Sequence, residues 1–355
     1  MLENHLDSIP WISLTPQEPD YLFIPQDEEL KKQYDKGISV KDIFVLSSVG
    51  IATAKDSVLI ANDEEKLKKQ VEDYYQEFES NFIKNIAYRP FDTQKVYFDP
   101  TKVERTRINI MEHFLGFENI GLVYDRGGKL QDISNFFVNS YIADKHLVGG
   151  NSYVSPLYLY PTERSKTKTL FDEGIEERIE NFAPDFREKI DLLYQEHFSP
   201  EVILGYLYAV LFHKRYREQY VDFLKIDFPK IPLVEDKSIF LLLSDLGQRL
   251  IALHLLKSDE PDSCIGEPLY ESDKNLTIEQ SKYMGERIII NSSLYFDKVS
   301  PKVWDYRIGG YQVLDKYLKS HKGEQIDYHH FQKVIQTLSA SLEIEEQIAK
   351  IDIGV

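Results

Sequence analysis

Cysteine is almost absent from this chain of 355 residues, which carries only Cys264. A single cysteine excludes an intrachain disulfide and any metal site built from several thiolates. The nine histidines show no HExxH or similar ligand spacing. We therefore expect no metal centre.

Long apolar runs are also missing. The longest one, residues 202–212, is shorter than the about 20 residues that a membrane-spanning helix needs. The first residues, MLENHLDSIPWISL, are acidic and polar, which is not typical of a signal peptide. We therefore expect a cytoplasmic protein without a membrane partner.

Positive charge is scarce overall, because 59 acidic residues outnumber 42 basic ones and give a net charge of -17. Such a chain repels polyphosphate, which argues against free-standing, non-specific binding to nucleic acid. The basic residues are concentrated locally, however, between residues 88 and 130 and again in loops between residues 145 and 168. A local basic face therefore stays open, and so does an ordinary surface on which nearby acids offset each cation.

Motifs of catalysis are missing as well. The chain has no GxSxG, no P-loop, no GxGxxG after a strand and no NPPY-like tetrapeptide. The stretch VEDK at residues 234–237 resembles the acidic-x-Lys pattern of nucleases, but such short patterns are frequent by chance. We expect no catalytic residue and no activity in this chain alone, which favours a recognition module.

The pattern of apolar residues predicts an α+β fold in two parts. β-rich runs such as KVYF, NIGLVY, FFVNSYIA and YVSPLYLY, separated by turn residues, predict a mixed or antiparallel sheet with long loops within residues 1–170. Residues 171–355 read as mainly helical with one strand-like insertion, RIIINSSLYFDKV. One long helix is predicted for residues 199–225, and a strand pair for residues 42–61.

Loop residues of the first part are the candidates for contact with DNA. Arginine pairs with guanine and asparagine with adenine at base edges, whereas lysine and arginine elsewhere hold phosphates. The predicted contacts are Arg89, Lys95, Arg105, Arg107, Arg126, Lys129, Lys145, Asn151, Ser152, Tyr153, Arg164, Lys166 and Lys168.

A double glycine, Gly309-Gly310, precedes a stretch with the apolar stripe of an amphipathic helix. It has two interpretations: a phosphate held at a helix N-terminus, or a close approach of the chain to a neighbouring element. The pair lacks the longer glycine-rich loop of nucleotide sites, which favours close packing. We then expect alanine at Gly310 to lower thermal stability.

Five stretches, in this order, resemble the C-terminal specificity domain of type ISP restriction-modification enzymes and related phage-defence methyltransferases. They are NIAYRPFDTQKVYFD (85–99), NIGLVYDRGG (119–128), SPLYLYP (155–161), YREQYVDFLKIDFPKIP (216–232) and VWDYRIGGYQVLDKYLKSHKG (303–323). The resemblance covers most of the chain.

This resemblance implies a target recognition domain that reads a short sequence of double-stranded DNA. The parent enzyme would be an adenine-specific methyltransferase with a nuclease and a motor on the same or another chain. S-adenosylmethionine, ATP and Mg would then belong to those other parts, and this chain would hold no cofactor. Two alternatives stay open: a protein-interaction scaffold of a defence complex without base contacts, and a divergent nuclease.

Overall fold

A computed structural model describes residues 10, 11, 13, 27–127, 134–161, 178–259, 264–270 and 275–354. The helices in the described ranges are α1 (Glu28–Tyr34), α2 (Val40–Ile43), α3 (Asp56–Leu59), α4 (Glu64–Tyr75), α5 (Ile108–Met111), α6 (Pro184–Tyr194), α7 (Pro200–Phe212), α8 (Lys214–Gln219), α9 (Val221–Leu224), α10 (Lys237–His254), α11 (Pro301–Trp304), α12 (Val313–Ser320) and α13 (Tyr328–Ile348). The strands are β1 (Ile38–Ser39), β2 (Ser48–Val49), β3 (Ile60–Ala61), β4 (Ile83–Arg89), β5 (Asp92–Tyr97), β6 (Gly121–Tyr124), β7 (Phe136–Asn139), β8 (Ile142–Ala143), β9 (Tyr153–Pro156), β10 (Tyr158–Leu159), β11 (Ile179–Glu180), β12 (Lys230–Ile231), β13 (Glu267–Tyr270), β14 (Lys282–Met284), β15 (Arg287–Ile289), β16 (Leu294–Asp297), β17 (Arg307–Ile308) and β18 (Tyr311–Gln312).

Two four-stranded sheets form the first part of the molecule. One is antiparallel with the strand order β2-β9-β6-β7, and the other has the order β3-β5-β4-β8, in which only β8 runs parallel to its neighbour. A third four-stranded sheet, β13-β16-β15-β14, lies among the helices of the second part and contains the predicted insertion. The α+β fold, with strands first and mainly helices afterwards, is confirmed.

The predicted strand pair within residues 42–61 is wrong. β2 pairs with β9 in one sheet, whereas β3 pairs with β5 in the other. The short turn between two apolar runs predicted a hairpin, but each run completes a different sheet. Local sequence patterns do not distinguish these two outcomes, because both bury the same apolar side chains.

The predicted long helix at residues 199–225 is interrupted at His213. This residue has an extended conformation, with φ -71° and ψ 115°, and it separates α7 from α8. Its buried imidazole accepts a hydrogen bond from the Tyr216 N–H at 3.4 Å and so caps α8. The basic residues beyond it are paired: Lys214 with Glu218 at 3.7 Å, and Arg217 with Glu345.

α7 and α10 cross at a pair of glycines. A side chain on Gly247 would overlap the carbonyl oxygen of Gly205, so the two backbones are in direct contact. Because neither residue has a Cβ, the helices approach closely and bury every residue of α7 from Ile203 to Phe212. This crossing lies within a hydrophobic cluster that also contains Tyr124 and Phe136 of the sheet.

A second hydrophobic cluster joins the other sheet to the C-terminal helices. It includes Ile86 and Val96 of the sheet together with Leu314 and Phe331. Each cluster contains residues from both sides of residue 170, so the two parts of the chain share their cores. The division into domains at residue 170 stays a prediction.

In the described parts of the chain, no helix combines the length and apolar character needed to cross a bilayer.

Candidate nucleic-acid interface

One loop connects the two sheets of the first part. β8 ends at Ala143 and β9 begins at Tyr153, so residues 144–152, called here the 144–152 loop, link them. Tyr153 pairs with Tyr124, the last residue of β6, and Ala143 pairs with Ala87 near the end of β4. The residues that follow β4, β6 and β8 therefore surround this loop, and we call the region the loop end of the sheets.

The 144–152 loop is fixed by internal hydrogen bonds. The Asp144 carboxylate accepts from the His146 N–H at 2.9 Å, and the His146 Nδ1 lies 2.7 Å from the Gly150 carbonyl oxygen. The Ser152 hydroxyl accepts from the Val148 N–H at 3.0 Å. Ser152, one of the predicted DNA contacts, is fully buried, and in this conformation it shapes the loop from inside.

The double glycine packs against this loop. Gly309 and Gly310 form the turn between β17 and β18, and a Cβ on Gly309 would overlap the carbonyl oxygen of Val148. The Gly309 N–H donates to the Ser134 carbonyl at 2.8 Å, and the Gly310 N–H donates to the Val148 carbonyl at 3.0 Å. Because both N–H groups are occupied by the protein, the geometry supports the close-packing interpretation.

Arg89 lies beneath the same region and is largely buried. Its guanidinium forms an ion pair with Asp144 at 2.7 Å, with side-chain exposures of 11% and 5%. The guanidinium also lies 3.9 Å from the ring centre of Tyr88 and 5.6 Å from that of Tyr311. Arg89 therefore holds the start of the 144–152 loop to β4, and a phosphate would have to compete with Asp144 for it.

Arg126 and Tyr153 contact the helical part of the molecule. The Arg126 Nε lies 2.8 Å from the Asp227 carboxylate, although 63% of its side chain is exposed. The Tyr153 ring packs edge-on against Phe228, with 4.9 Å between ring centres, and stacks on Tyr124 at 6.0 Å. Arg126 stays accessible to a partner, because an exposed ion pair contributes little and exchanges readily.

Three further predicted contacts lie near the loop end with accessible surface. Asn151 is exposed and Lys145 is half-buried. The backbone of Arg105 pairs with that of Ala52 in an isolated bridge. The preceding residue, Ile51, accepts a hydrogen bond from the Lys145 N–H, so Arg105 lies close to Lys145. The Arg105 side chain is 59% exposed. The fold thus brings two accessible cations and an accessible amide to one region.

Two predicted DNA contacts are not accessible cations of the loop end. Arg107 adopts a left-handed conformation, with φ 47°, at the start of α5, and its Nε is buried without a hydrogen-bond partner among the described residues. Lys95 lies in the middle of β5 and pairs with Glu64 at 2.8 Å, away from the loop end. The remaining candidates, Lys129, Arg164, Lys166 and Lys168, lie outside the described residues.

Asp125 was not predicted, and it supports the 144–152 loop from below. This carboxylate is buried, and a Cβ on Gly150 would overlap it. Burial raises the pKa of Asp125 to about 6, although hydrogen bonds from the Ser152 hydroxyl and the Gly150 N–H oppose that rise. The position of Asp125, directly after the buried strand β6, is the sequence signal that could have identified it.

The nuclease-like stretch VEDK has structural partners. The Asp236 carboxylate caps α10 by accepting from the Ser238 N–H at 2.7 Å, and Lys237 pairs with Glu196. Among the described residues, no three His, Cys, Asp or Glu side chains form a group that could bind a metal ion.

Comparison with known families decides the relationship. The profile of the Type ISP C-terminal specificity domain matches residues 75–348, most of the chain. The chain belongs to this family. The resemblance of the five ordered stretches is therefore confirmed. No curated protein sequence matches this chain.

Several solved structures share the fold of this specificity domain. A nuclease-deletion mutant of the Type ISP restriction-modification enzyme LlaGI, in complex with a DNA substrate mimic, is 17% identical, with a TM-score of 0.73 over 98% of this chain and 36% of its own. The ATP-dependent Type ISP enzyme LlaBIII bound to DNA is 18% identical, with a TM-score of 0.75 over 95% of this chain and 25% of its own. A DrdV–DNA complex is 19% identical, with a TM-score of 0.74 over 99% of this chain and 41% of its own. This chain therefore spans less than half the length of each of these proteins.

Proposed function

We propose that this chain selects the DNA sequence on which a restriction-modification or phage-defence enzyme acts. The observation that carries the proposal is the match to the specificity-domain family over residues 75–348. Three proteins that share the fold were solved in complexes with DNA or a DNA mimic. The proposed parent enzyme is an adenine-specific DNA methyltransferase that acts in the cytoplasm. Its S-adenosylmethionine, ATP and Mg would bind to methyltransferase and motor domains on the same or another chain.

The loop end is the proposed DNA-facing surface. Arg105, Arg126 and Lys145 present cations that can hold phosphates, and the exposed amide of Asn151 can pair with the edge of an adenine. The surrounding hydrogen bonds and the glycine contact fix the shape of the 144–152 loop, which a base-reading surface needs. The net charge of -17 does not oppose this role, because a neighbouring methyltransferase domain would also bind the duplex.

The scaffold alternative differs from this proposal in a measurable way. A scaffold without base contacts would show no preference among DNA sequences, in the chain alone or in the complete enzyme. Selection of binding sites from a randomised duplex pool therefore tests the proposal directly. An enriched sequence motif supports it, and a pool that stays random in both preparations contradicts it.

Two variants test which proposed residue contacts a base and which contacts a phosphate. In the complete enzyme, Asn151→Ala should weaken the preference at one base position by about 1–3 kcal/mol. Arg105→Ala should instead weaken binding to all sequences alike and reduce the salt slope by about 1. Arg215→Ala changes an exposed arginine of α8 in the helical part and serves as the matched control. Unchanged specificity, affinity and salt slope in both test variants would refute this assignment of contacts.

A further inference from the structure

A polar cleft lies on the β3-β5-β4-β8 sheet, apart from the surface proposed to read the duplex. Its volume is about 550 Å3, within the range of roughly 300–1,000 Å3 that is typical of small-molecule sites. Its lining includes Asn85 of β4 and Lys95 of β5, which pair directly across the two strands. The segments 114–118 and 140–142 also line it.

The edge of β4 is open along this cleft. β8 pairs with β4 only at Ile86 and Ala87, so Ile83–Asn85 have no strand partner on that side among the described residues. A strand edge of this kind presents backbone N–H and C=O groups in a fixed direction. The Asn85 side chain adds an amide donor and acceptor at the same place. Such a set can form hydrogen bonds with the edge of a planar heterocycle.

Exposed aromatic side chains belong to the lining of this cleft. Tyr141 is 41% exposed and Phe117 is 39% exposed, a large fraction for aromatic residues that border a cleft. Phe117 is supported from behind by the Tyr160 ring, which is parallel to it within 11° at 4.2 Å. Exposed, supported aromatic faces favour the stacking of a flat ligand.

The charges in the cleft favour a base over a simple anion. Lys84 and Lys95 are balanced by Glu64 and Glu118, and Lys95 already pairs with Glu64 at 2.8 Å. Inorganic phosphate would therefore gain little from this site. The Lys84 ammonium donates to the Asn81 carbonyl at 2.6 Å and has further N–H groups that can bind a phosphate attached to a stacked base. The Glu118 carboxylate can accept from an exocyclic amino group.

We propose that this cleft binds a single unpaired nucleotide, with its base stacked on the exposed aromatic side chains and its edge at Asn85. The nucleotide has two sources, namely an unpaired position in a nucleic acid strand or a free mononucleotide. The site goes beyond the proposed reading of paired DNA, because fully paired bases cannot enter a cleft and stack on its aromatic side chains.

Fluorescence anisotropy tests the proposal with the full chain and two labelled duplexes. One duplex is fully paired, and the other has the same sequence with one additional, unpaired adenosine. We expect roughly tenfold tighter binding of the second, the effect of one stacked base. Tyr141→Ala and Asn85→Ala should remove most of this difference, whereas Tyr141→Phe should keep it. Tyr74→Ala, which changes a 56% exposed tyrosine of α4 outside the cleft, is the matched control.

Competition with AMP distinguishes a free mononucleotide from an unpaired position in a strand. Displacement of the unpaired duplex by millimolar AMP, lost in Tyr141→Ala, supports a site that takes free mononucleotides; preference for the unpaired duplex without AMP displacement supports a site for a strand. The proposal is overturned if the wild-type chain shows neither effect, or if folded Tyr141→Ala retains unchanged whichever effect the wild-type chain shows. Failure of the proposed function is a separate result, because it appears as a lack of sequence preference in paired DNA.

Discussion

The contact of Gly309 with the 144–152 loop gives a sharp test of how this fold is held together. Gly309 has φ +56°, and an added Cβ would overlap the carbonyl oxygen of Val148. Gly310, the next residue, has room, because its nearest neighbour would be the Gly149 Cα at 3.7 Å. Gly309→Ala and Gly310→Ala are therefore a matched pair that differs only in backbone conformation and space.

The expected cost of Gly309→Ala has two sources. A left-handed alanine costs about 1 kcal/mol relative to glycine. To relieve the overlap, the turn must move away from the loop, which weakens the hydrogen bonds of Gly309 with Ser134 and of Gly310 with Val148. Each hydrogen bond contributes about 1 kcal/mol, so the total loss is about 3 kcal/mol. Gly310→Ala should change the free energy of unfolding by less than about 0.5 kcal/mol.

Thermal unfolding followed by circular dichroism measures this difference. Gly309→Ala should lower the Tm by roughly 4 °C, and Gly310→Ala should leave it nearly unchanged. An equal loss in both variants, or a larger loss in Gly310→Ala, would refute the reasoning. If the double glycine instead held a DNA phosphate, both variants would retain their Tm and bind all DNA sequences more weakly.

Three further predictions follow from buried contacts. Asp144→Ala should lower the free energy of unfolding by about 3 kcal/mol in urea titrations, because it leaves the Arg89 guanidinium buried without its ion pair; an unchanged midpoint would contradict this. Gly247→Ala should lower the Tm more than a glycine-to-alanine substitution at any exposed position, because the added Cβ would overlap the Gly205 carbonyl oxygen. An unchanged Tm would show that α7 and α10 can move apart without cost. The raised pKa of Asp125, about 6, stabilises the fold below pH 4, and this contribution of about 3 kcal/mol is lost as the pH rises through 6. Between pH 4 and 6, the free energy of unfolding of Asp125→Asn should therefore fall less than that of the wild type. Equal falls in the two proteins would contradict the prediction.

The sequence by itself determined the class of fold and the character of its parts. Alternating apolar residues and turn residues predicted the strands of the first part, and the structure confirms β5, β6, β7 and β9 there. Asn62 and Asp63 precede the acidic residues Glu64 and Glu65, a pattern typical of a helix start, and α4 begins directly after Asp63, whose carboxylate accepts from the Lys66 N–H at 2.7 Å. These features could be predicted because they depend on neighbours within a few residues.

The tertiary structure alone decided which distant residues meet. Sequence patterns predicted that Gly309-Gly310 was a packing feature but placed the sensitive position at Gly310; the positive φ of Gly309 and its contact with Val148 come from the arrangement of the hairpin on the loop. The interruption at His213 depends in the same way on packing, since its imidazole also lies 2.9 Å from the distant Ile351 carbonyl oxygen.

The predicted DNA contacts show the same limit of prediction from sequence. The sequence identified a stretch rich in basic residues, yet Arg89 pairs inward with Asp144, Lys95 borders the cleft with Glu64, and Arg105 keeps an exposed side chain. Their residue types and spacing are similar, so sequence reasoning treated them alike. Burial and long-range pairing assign each arginine or lysine its role, because the free energy of a charge depends on its solvent exposure and on the partner that the fold places beside it.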